Sequence, residues 1–319
     1  MEKDSKIYIA GHTGLVGSAL VRKFESEGYS NLITRSHSEL DLAQQSEVEA
    51  FFGSERPEYV ILAAAKVGGI WANNTYPAEF IYSNLAIQTN AIHAAWKTGV
   101  KRLLFLGSSC IYPRECPQPM KEEHLLSGPL EPTNEPYAIA KIAGVKMCQS
   151  YNRQYGTKFL SVMPTNLYGP NDNFDLETSH VLPVFIRKFH EAKIQKKDKV
   201  EIWGSGKPYR EFLHVDDLAD ACLCLQSLDR SRYDSIINSF PPVINIGCGR
   251  DITIQNLAEL VKKIVGYNGK IVNNMIKPDG TPRKLLDIAK ASNLGWKPTI
   301  SLEDGIRMTY DWCLSQSIF

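Results

Sequence analysis

The chain has 319 residues, of which 43% are hydrophobic and 22% charged, and its net charge is +1. That length supports one large domain or two modest ones around a sizeable core. A near-neutral balance excludes the basic footprint of a nucleic-acid-binding protein, and the short basic run at 193–199 reads as a solvated loop.

Taken in chain order, an apolar strand at 6–10 leads through glycines into a helical pattern at 15–28. Strands are expected at 31–35 and 59–65, then a long helix at 77–99. A strand at 102–107 is followed by a helix at 135–156 and a strand at 158–163. Beyond Met163 the pattern loosens, and 164–180, rich in Pro, Asn, Asp and Gly, reads as loop. Strands at 200–204 and 243–247 and helices at 253–266 and 302–316 complete the series.

The early strands are almost wholly apolar, which suits a parallel sheet covered on both faces. Alternation with helices gives an α/β fold, a doubly wound parallel sheet of the Rossmann type, with a second, smaller α/β domain. The expected division is 1–165 plus about 212–250 for the nucleotide-binding part, and 166–211 plus about 251–319 for a substrate part. The first residues carry no apolar signal core, and the longest apolar stretch, 59–71, is interrupted by Lys66. A membrane span needs about 20 apolar residues, so no membrane partner is expected. Seven cysteines without a CxxC pair suit reduced, cytoplasmic thiols, and Cys222 and Cys224 point apart on a helical pattern, so no metal is expected.

The run Gly11-His12-Thr13-Gly14-Leu15-Val16-Gly17 lies between the first strand and first helix. In that context the glycines have distinct uses: a tight turn, close approach of a pyrophosphate, and close packing of helix on strand. The helix start offers N–H groups and partial positive charge to the phosphates. The end of the second strand selects between the two nicotinamide dinucleotides. It carries Thr34, Arg35, Ser36 and His37 and no carboxylate, so Arg35 is expected to meet a 2′-phosphate and the cofactor to be NADP(H). Asp41, followed by Leu42, is placed to bond the adenine amine.

Tyr137 and Lys141 in "EPYAIAK" stand four apart on one helix and share a face. A tyrosine titrating near pH 10 is a poor proton donor and acceptor at neutrality, and a neighbouring ammonium is expected to lower it. Ser108 follows the strand at 102–107, behind Leu106 and Gly107 and before Ser109, where its hydroxyl meets a substrate carbonyl beside Tyr137. Ligands of open α/β sheets bind outside the carboxyl ends of strands, which agrees with that position.

These motifs resemble the extended short-chain dehydrogenase/reductase family. "AGHTGLVGSA", "FLGSSCIYP", "EPTNEPYAIAKIAG", "MPTNLYGPNDNF", "REFLHVDDLA" and "KPDGTPRKLLD" look like one subgroup of it. The resemblance implies NADPH-dependent 3,5-epimerisation and 4-reduction of GDP-4-keto-6-deoxy-D-mannose to GDP-L-fucose, by a homodimer pairing the helices at 77–99 and 135–156. It implies that Cys110 is the base of the epimerisation and His180 the acid, with His180 also beside the cofactor. It implies that Pro164, Thr165, Asn166 and Leu167 line the nicotinamide end, and that Lys188, Trp203, Arg210 and Asp279 contact the GDP-sugar. Lys188 and His37 stand where the bacterial pattern has arginine. The alternative is another nucleotide-sugar epimerase or 4-ketoreductase of the same family. A 4,6-dehydratase would need a threonine and a carboxyl pair where this chain has Ser108, Ser109 and Cys110, and a cofactor-sensing regulator would not need Tyr137 and Lys141 together.

Overall fold

The computed structural model describes residues 1–239, 241–277 and 279–319. In chain order its elements are β1 (Ile7–Ala10), α1 (Leu15–Ser26), β2 (Leu32–Ile33), α2 (Gln45–Glu55), β3 (Tyr59–Leu62), α3 (Ile70–Thr75), α4 (Pro77–Lys97), β4 (Arg102–Leu106) and α5 (Glu135–Tyr155). Then come β5 (Phe159–Pro164), β6 (Asn166–Tyr168), α6 (Val181–Ile194), β7 (Lys199–Trp203), β8 (Tyr209–His214), α7 (Val215–Ser227), α8 (Arg230–Ile237) and β9 (Val243–Ile246). The chain closes with β10 (Asp251–Thr253), α9 (Ile254–Val265), β11 (Lys270–Asn274), β12 (Arg283–Lys284), α10 (Ala289–Asn293) and α11 (Leu302–Ser315).

Six strands form one parallel sheet in the order β2-β1-β3-β4-β5-β9. The alternation of side chains along each strand feeds two separate cores. Tyr8 and Ala10 of β1, with Leu103 and Phe105 of β4, face a core shared with α2, α4 and α5. Ile7 and Ile9, with Leu104 and Leu106, face the opposite core, shared with α1, α7 and α8. Burial on both faces is why these strands, Arg102 at the start of β4 aside, are apolar at consecutive positions rather than every second one. Tyr8, Phe51 and Phe52 pack with ring centroids 4.7–5.9 Å apart, and aromatic pairs of this kind add about 0.5–1.5 kcal/mol beyond area burial.

A third core gathers Tyr168 of β6, Phe174 of the segment that follows it, and Phe185, Ile186, Phe189, Ile202, Leu257, Val261 and Ile306 from α6, β7, α9 and α11. Around it, β8 is paired by β10, β12 and β6, and β7 pairs with β11. The segment expected to be all loop therefore contains a strand, because Asn166–Tyr168 finds a partner in β8 that is distant in sequence. The expected strand at 31–35 shortens to two residues: only Leu32 and Ile33 pair with β1, and the Arg35 guanidinium instead binds the Thr34 carbonyl and Glu55. No helix among the described residues is long and apolar enough to cross a membrane.

Candidate active site

The carboxyl ends of β1, β3, β4 and β5 open onto one cavity of about 850 Å³. Its floor is the turn from β1 into α1. Gly11 has φ +83°, and a Cβ there would lie 2.8 Å from the Ala64 nitrogen. A Cβ on Gly17 would lie 2.0 Å from the Gly11 oxygen. Gly14 differs: its nearest neighbour would be 3.6 Å from a Cβ, and it caps α1 with no side chain of its own. The turn is thus closed toward the protein and open toward the cavity, with the first N–H groups of α1 left for a ligand. This fits the pyrophosphate of a dinucleotide. Gly11, Thr13, Gly14, Leu15, Val16 and Gly17 line the cavity; His12 does not, and its Nδ1 is buried without a partner.

At the adenosine end, Arg35, His37, Asp41 and Leu42 all line the rim. The Arg35 guanidinium donates to Glu55 Oε1 at 2.6 Å and lies over the Phe51 ring at 5.5 Å. Glu55 is shared with Lys6, whose Nζ stands 3.1 Å from Oε2. Two cations on one carboxylate leave a net positive charge beside the rim, which suits a 2′-phosphate. His37 is exposed, with Nδ1 3.7 Å from Asp41 Oδ1.

At the other end, Leu106, Gly107, Ser108, Ser109, Cys110, Tyr137, Lys141, Pro164, Thr165, Asn166, Leu167 and His180 line the same cavity. Ser108 ends the extended chain after β4, and its Oγ accepts from the Cys110 amide at 3.3 Å, starting a single 3₁₀ turn that turns the thiol inward. The pair from α5 behaves differently from expectation. Burial holds Tyr137 well above its usual range, and Ser108, not Lys141, is the group that pulls it down. The reason is geometric: Lys141 Nζ donates to the Leu106 carbonyl at 2.8 Å and stands 5.7 Å from the tyrosine ring centre. Burial lowers Lys141 itself to about 8. It pushes the Cys110 thiol up. His180 is exposed as a residue, but its imidazole is pushed down by the cavity walls around it and by the Lys284 charge. Two buried oxygens on the cavity, Asn134 Oδ1 and Asp172 Oδ2, have no partner in the protein, as expected of a site that receives polar ligand groups.

Lys188, Trp203, Arg210 and Asp279 are not brought to this cavity. They lie on and around β7, β8 and β11. Lys188 Nζ donates to the Glu201 carbonyl at 3.3 Å. Trp203 is 48% exposed, with Lys277 Nζ 4.9 Å from its ring centre. Asp279 accepts from the Ser205 amide and hydroxyl at 2.9 and 2.7 Å. Arg210 Nη1 donates to the Thr281 carbonyl at 2.6 Å. Several cavity residues escaped the sequence reading, among them Asn134, Asp172 and, most consequentially, Lys284 of β12, which faces Cys110. It sits in the quoted run "KPDGTPRKLLD" but carries no local signal, since only the pairing of β12 with β8 brings it to the site.

The NAD dependent epimerase/dehydratase family model matches residues 7–247. GDP-L-fucose synthase 1 of Arabidopsis thaliana is 60% identical over 313 residues, covering 98% of this chain and 94% of that one. GDP-L-fucose synthase of Escherichia coli K12 is 55% identical over 309 residues, 97% and 96% of the two chains. Among solved structures, a GDP-mannoheptose C4 reductase from Campylobacter jejuni with NADP bound is 45% identical, with a TM-score of 0.89 over 98% of this chain and 99% of that one.

Proposed function

The chain belongs to the NAD dependent epimerase/dehydratase family, and from that premise we propose that it converts GDP-4-keto-6-deoxy-D-mannose to GDP-L-fucose by 3,5-epimerisation and NADPH-dependent 4-reduction. The observation that carries this reading is the thiol. Cys110 and His180 share a cavity with Ser108, Tyr137 and Lys141, and a reductase alone needs only the last three.

The chemistry follows from the ketone, which acidifies the protons on C3 and C5. Cys110, as thiolate, takes such a proton: the C–H bond breaks, an S–H bond forms, and the electron pair moves to the C4 oxygen. Ser108 and Tyr137 donate hydrogen bonds to that oxygen, and these strengthen as its charge develops. His180, as imidazolium, delivers a proton to the opposite face, which inverts the carbon. NADPH, when bound, supplies hydride to C4. Tyr137, hydrogen-bonded to Ser108, then gives its proton to the oxygen, while Lys141 is assigned to hold the ribose. Lys188, Trp203, Arg210 and Asp279 are assigned to the GDP end. Trp203 offers a flat apolar face and the two cations offer charge to the diphosphate.

The separate third core supports dividing the chain into a cofactor part, 1–165 plus about 212–250, and a substrate part, 166–211 plus about 251–319. Exposed Tyr82, Ile139 and Tyr155 on α4 and α5 support a homodimer through those helices. Seven free thiols suit a reducing compartment, and we place the enzyme in the cytoplasm.

Incubation with GDP-4-keto-6-deoxymannose and NADPH in deuterated water tests the reading. The expected product is GDP-L-fucose carrying deuterium at C3 and C5. Cys110→Ser is expected to abolish that uptake while hydride transfer survives. A reduced sugar without deuterium from the unaltered enzyme would leave only a C4 reductase, the activity named for the Campylobacter relative.

A further inference from the structure

We infer that Lys284 is the cation that holds Cys110 as a thiolate during proton abstraction, and that the segment around it is clamped to keep its ammonium beside that sulfur. The inference rests on the reading of Cys110 as the base.

Lys284 lies on β12, in parallel register with Arg210 of β8. Its side chain borders the large cavity together with Cys110, Tyr137 and His180. It also borders a second cavity, of about 10 Å³, together with Cys110, Glu131 and Thr281. Its ammonium makes no hydrogen bond or salt bridge among the described residues. Lys141, the other cation near the sulfur, is turned to the Leu106 carbonyl. Lys284 is half-buried, and an ammonium held in a cavity wall without a hydrogen-bonded partner is unfavourable unless an anion is to stand beside it.

The groups facing the two ends are few. Cys110 is faced by Ser108 from its own turn, by Tyr137 and Lys141 from α5, and by Lys284. Lys284 is faced by Cys110, by Arg210 of β8, by His180 before α6, and by Glu131. Burial pushes the thiol up, and Lys284 is the strongest influence pulling it down, ahead of Ser108 and Lys141. The effect is reciprocal, since Cys110 opposes the fall that burial imposes on the lysine.

The backbone around Lys284 is tied on both sides. The Tyr209 amide donates to the Pro282 carbonyl at 2.9 Å, and Arg210 holds the Thr281 carbonyl. The Leu285 amide donates to Gln118 Oε1 at 2.8 Å, and the Leu286 amide to Glu211 Oε2 at 2.9 Å. Met120 closes the far side, donating to the Leu285 carbonyl and accepting from the Asp287 amide at 2.7 and 2.8 Å. A flexible surface lysine would need none of this.

The test compares Lys284→Met with Lys284→Arg, and uses Lys284→Gln as a second neutral variant should the methionine form fail to fold. Two quantities are read: the pH midpoint of Cys110 alkylation by iodoacetamide, followed on its peptide by mass spectrometry, and deuterium uptake at C3 and C5 without NADPH. The neutral variants are expected to raise the midpoint by about one pH unit or more, and so to slow uptake at neutral pH about tenfold, with KM little changed. Lys284→Arg is expected to restore both. An unchanged midpoint overturns the assignment, including the case where the whole loss appears as a raised KM, which would make Lys284 a diphosphate ligand instead. If Cys110→Ser leaves uptake intact, the base assignment itself fails; if it abolishes uptake while the neutral variants titrate normally, only the lysine is wrongly assigned.

Discussion

The two ends of the cavity are built in opposite ways. The cofactor end is nearly continuous in sequence: one strand, one turn with three glycines and one helix start supply the cradle. The reacting end collects Ser108 and Cys110 from the edge of β4, Tyr137 and Lys141 from α5, His180 from the start of α6, and Lys284 from β12. The first is specified by what must be absent, a Cβ at positions 11 and 17. The second is specified by where charges stand. Damage at the cofactor end should therefore act through steric exclusion, and damage at the reacting end through displacement or loss of charge.

The largest effect follows from the cradle. Gly17→Val would bring a Cβ to 2.0 Å from the Gly11 oxygen, where only backbone can give way. NADPH affinity, measured by titration calorimetry, is expected to fall more than about 100-fold, equivalent to about 3 kcal/mol. Gly14→Ala serves as its counterpart. Its Cβ meets nothing closer than 3.6 Å in the protein, so thermal stability should hold while NADPH alone is weakened. Unaltered NADPH binding by Gly17→Val would break the contrast between the two ends.

The same contrast explains what could be read from sequence. Gly11, Gly14 and Gly17 announce themselves because their spacing fits a strand–turn–helix unit, and the apolar strands announce a sheet buried on both faces. Tyr137 and Lys141 share a helix face, so four residues of sequence suffice to pair them. What their pairing does was not legible: the lysine turns to the Leu106 carbonyl, a partner set by how α5 crosses β4. Cys110 and His180 became readable only through family resemblance, since a lone thiol or imidazole has no period or spacing. Lys284 was invisible because β12, two residues long, exists only through its register with β8. The strand β6 was lost among turn-forming residues for the same reason.

The clamp around Lys284 sharpens the comparison with a smaller effect. Glu211 is fully buried and accepts from the Leu286 and Gly249 amides at 2.9 and 2.7 Å. Glu211→Ala strands both donors, at about 1–3 kcal/mol each, and frees one side of the segment carrying Lys284. A lowered unfolding midpoint is expected, together with about tenfold slower deuterium uptake and a much smaller loss of hydride transfer. Equal losses in the two steps would show that the segment is scaffold for the whole cavity rather than a support for the thiol.

The smallest effect, and the most specific, is in the pH dependence. Deuterium uptake needs Cys110 as thiolate and His180 as imidazolium. Burial pushes the thiol above its usual 9.0, while the cavity walls and the Lys284 charge push the imidazole of His180, a solvent-exposed residue, below its usual 6.5. Between those limits the reactive pair is the minor protonation state. Each pH unit gained multiplies the thiolate about tenfold and divides the imidazolium about tenfold, so their product stays level. Uptake should therefore be flat through neutrality, falling only below the histidine limit and above the cysteine limit. Hydride transfer depends on Lys141, whose charge is lost as pH rises through about 8. Single-turnover absorbance of NADPH should then decline across pH 8 while exchange at C3 and C5, followed by mass spectrometry, does not. A tall peak in uptake near neutrality would mean that the order is inverted, the thiol titrating below the imidazole, and that the positive charge facing Cys110 outweighs its burial.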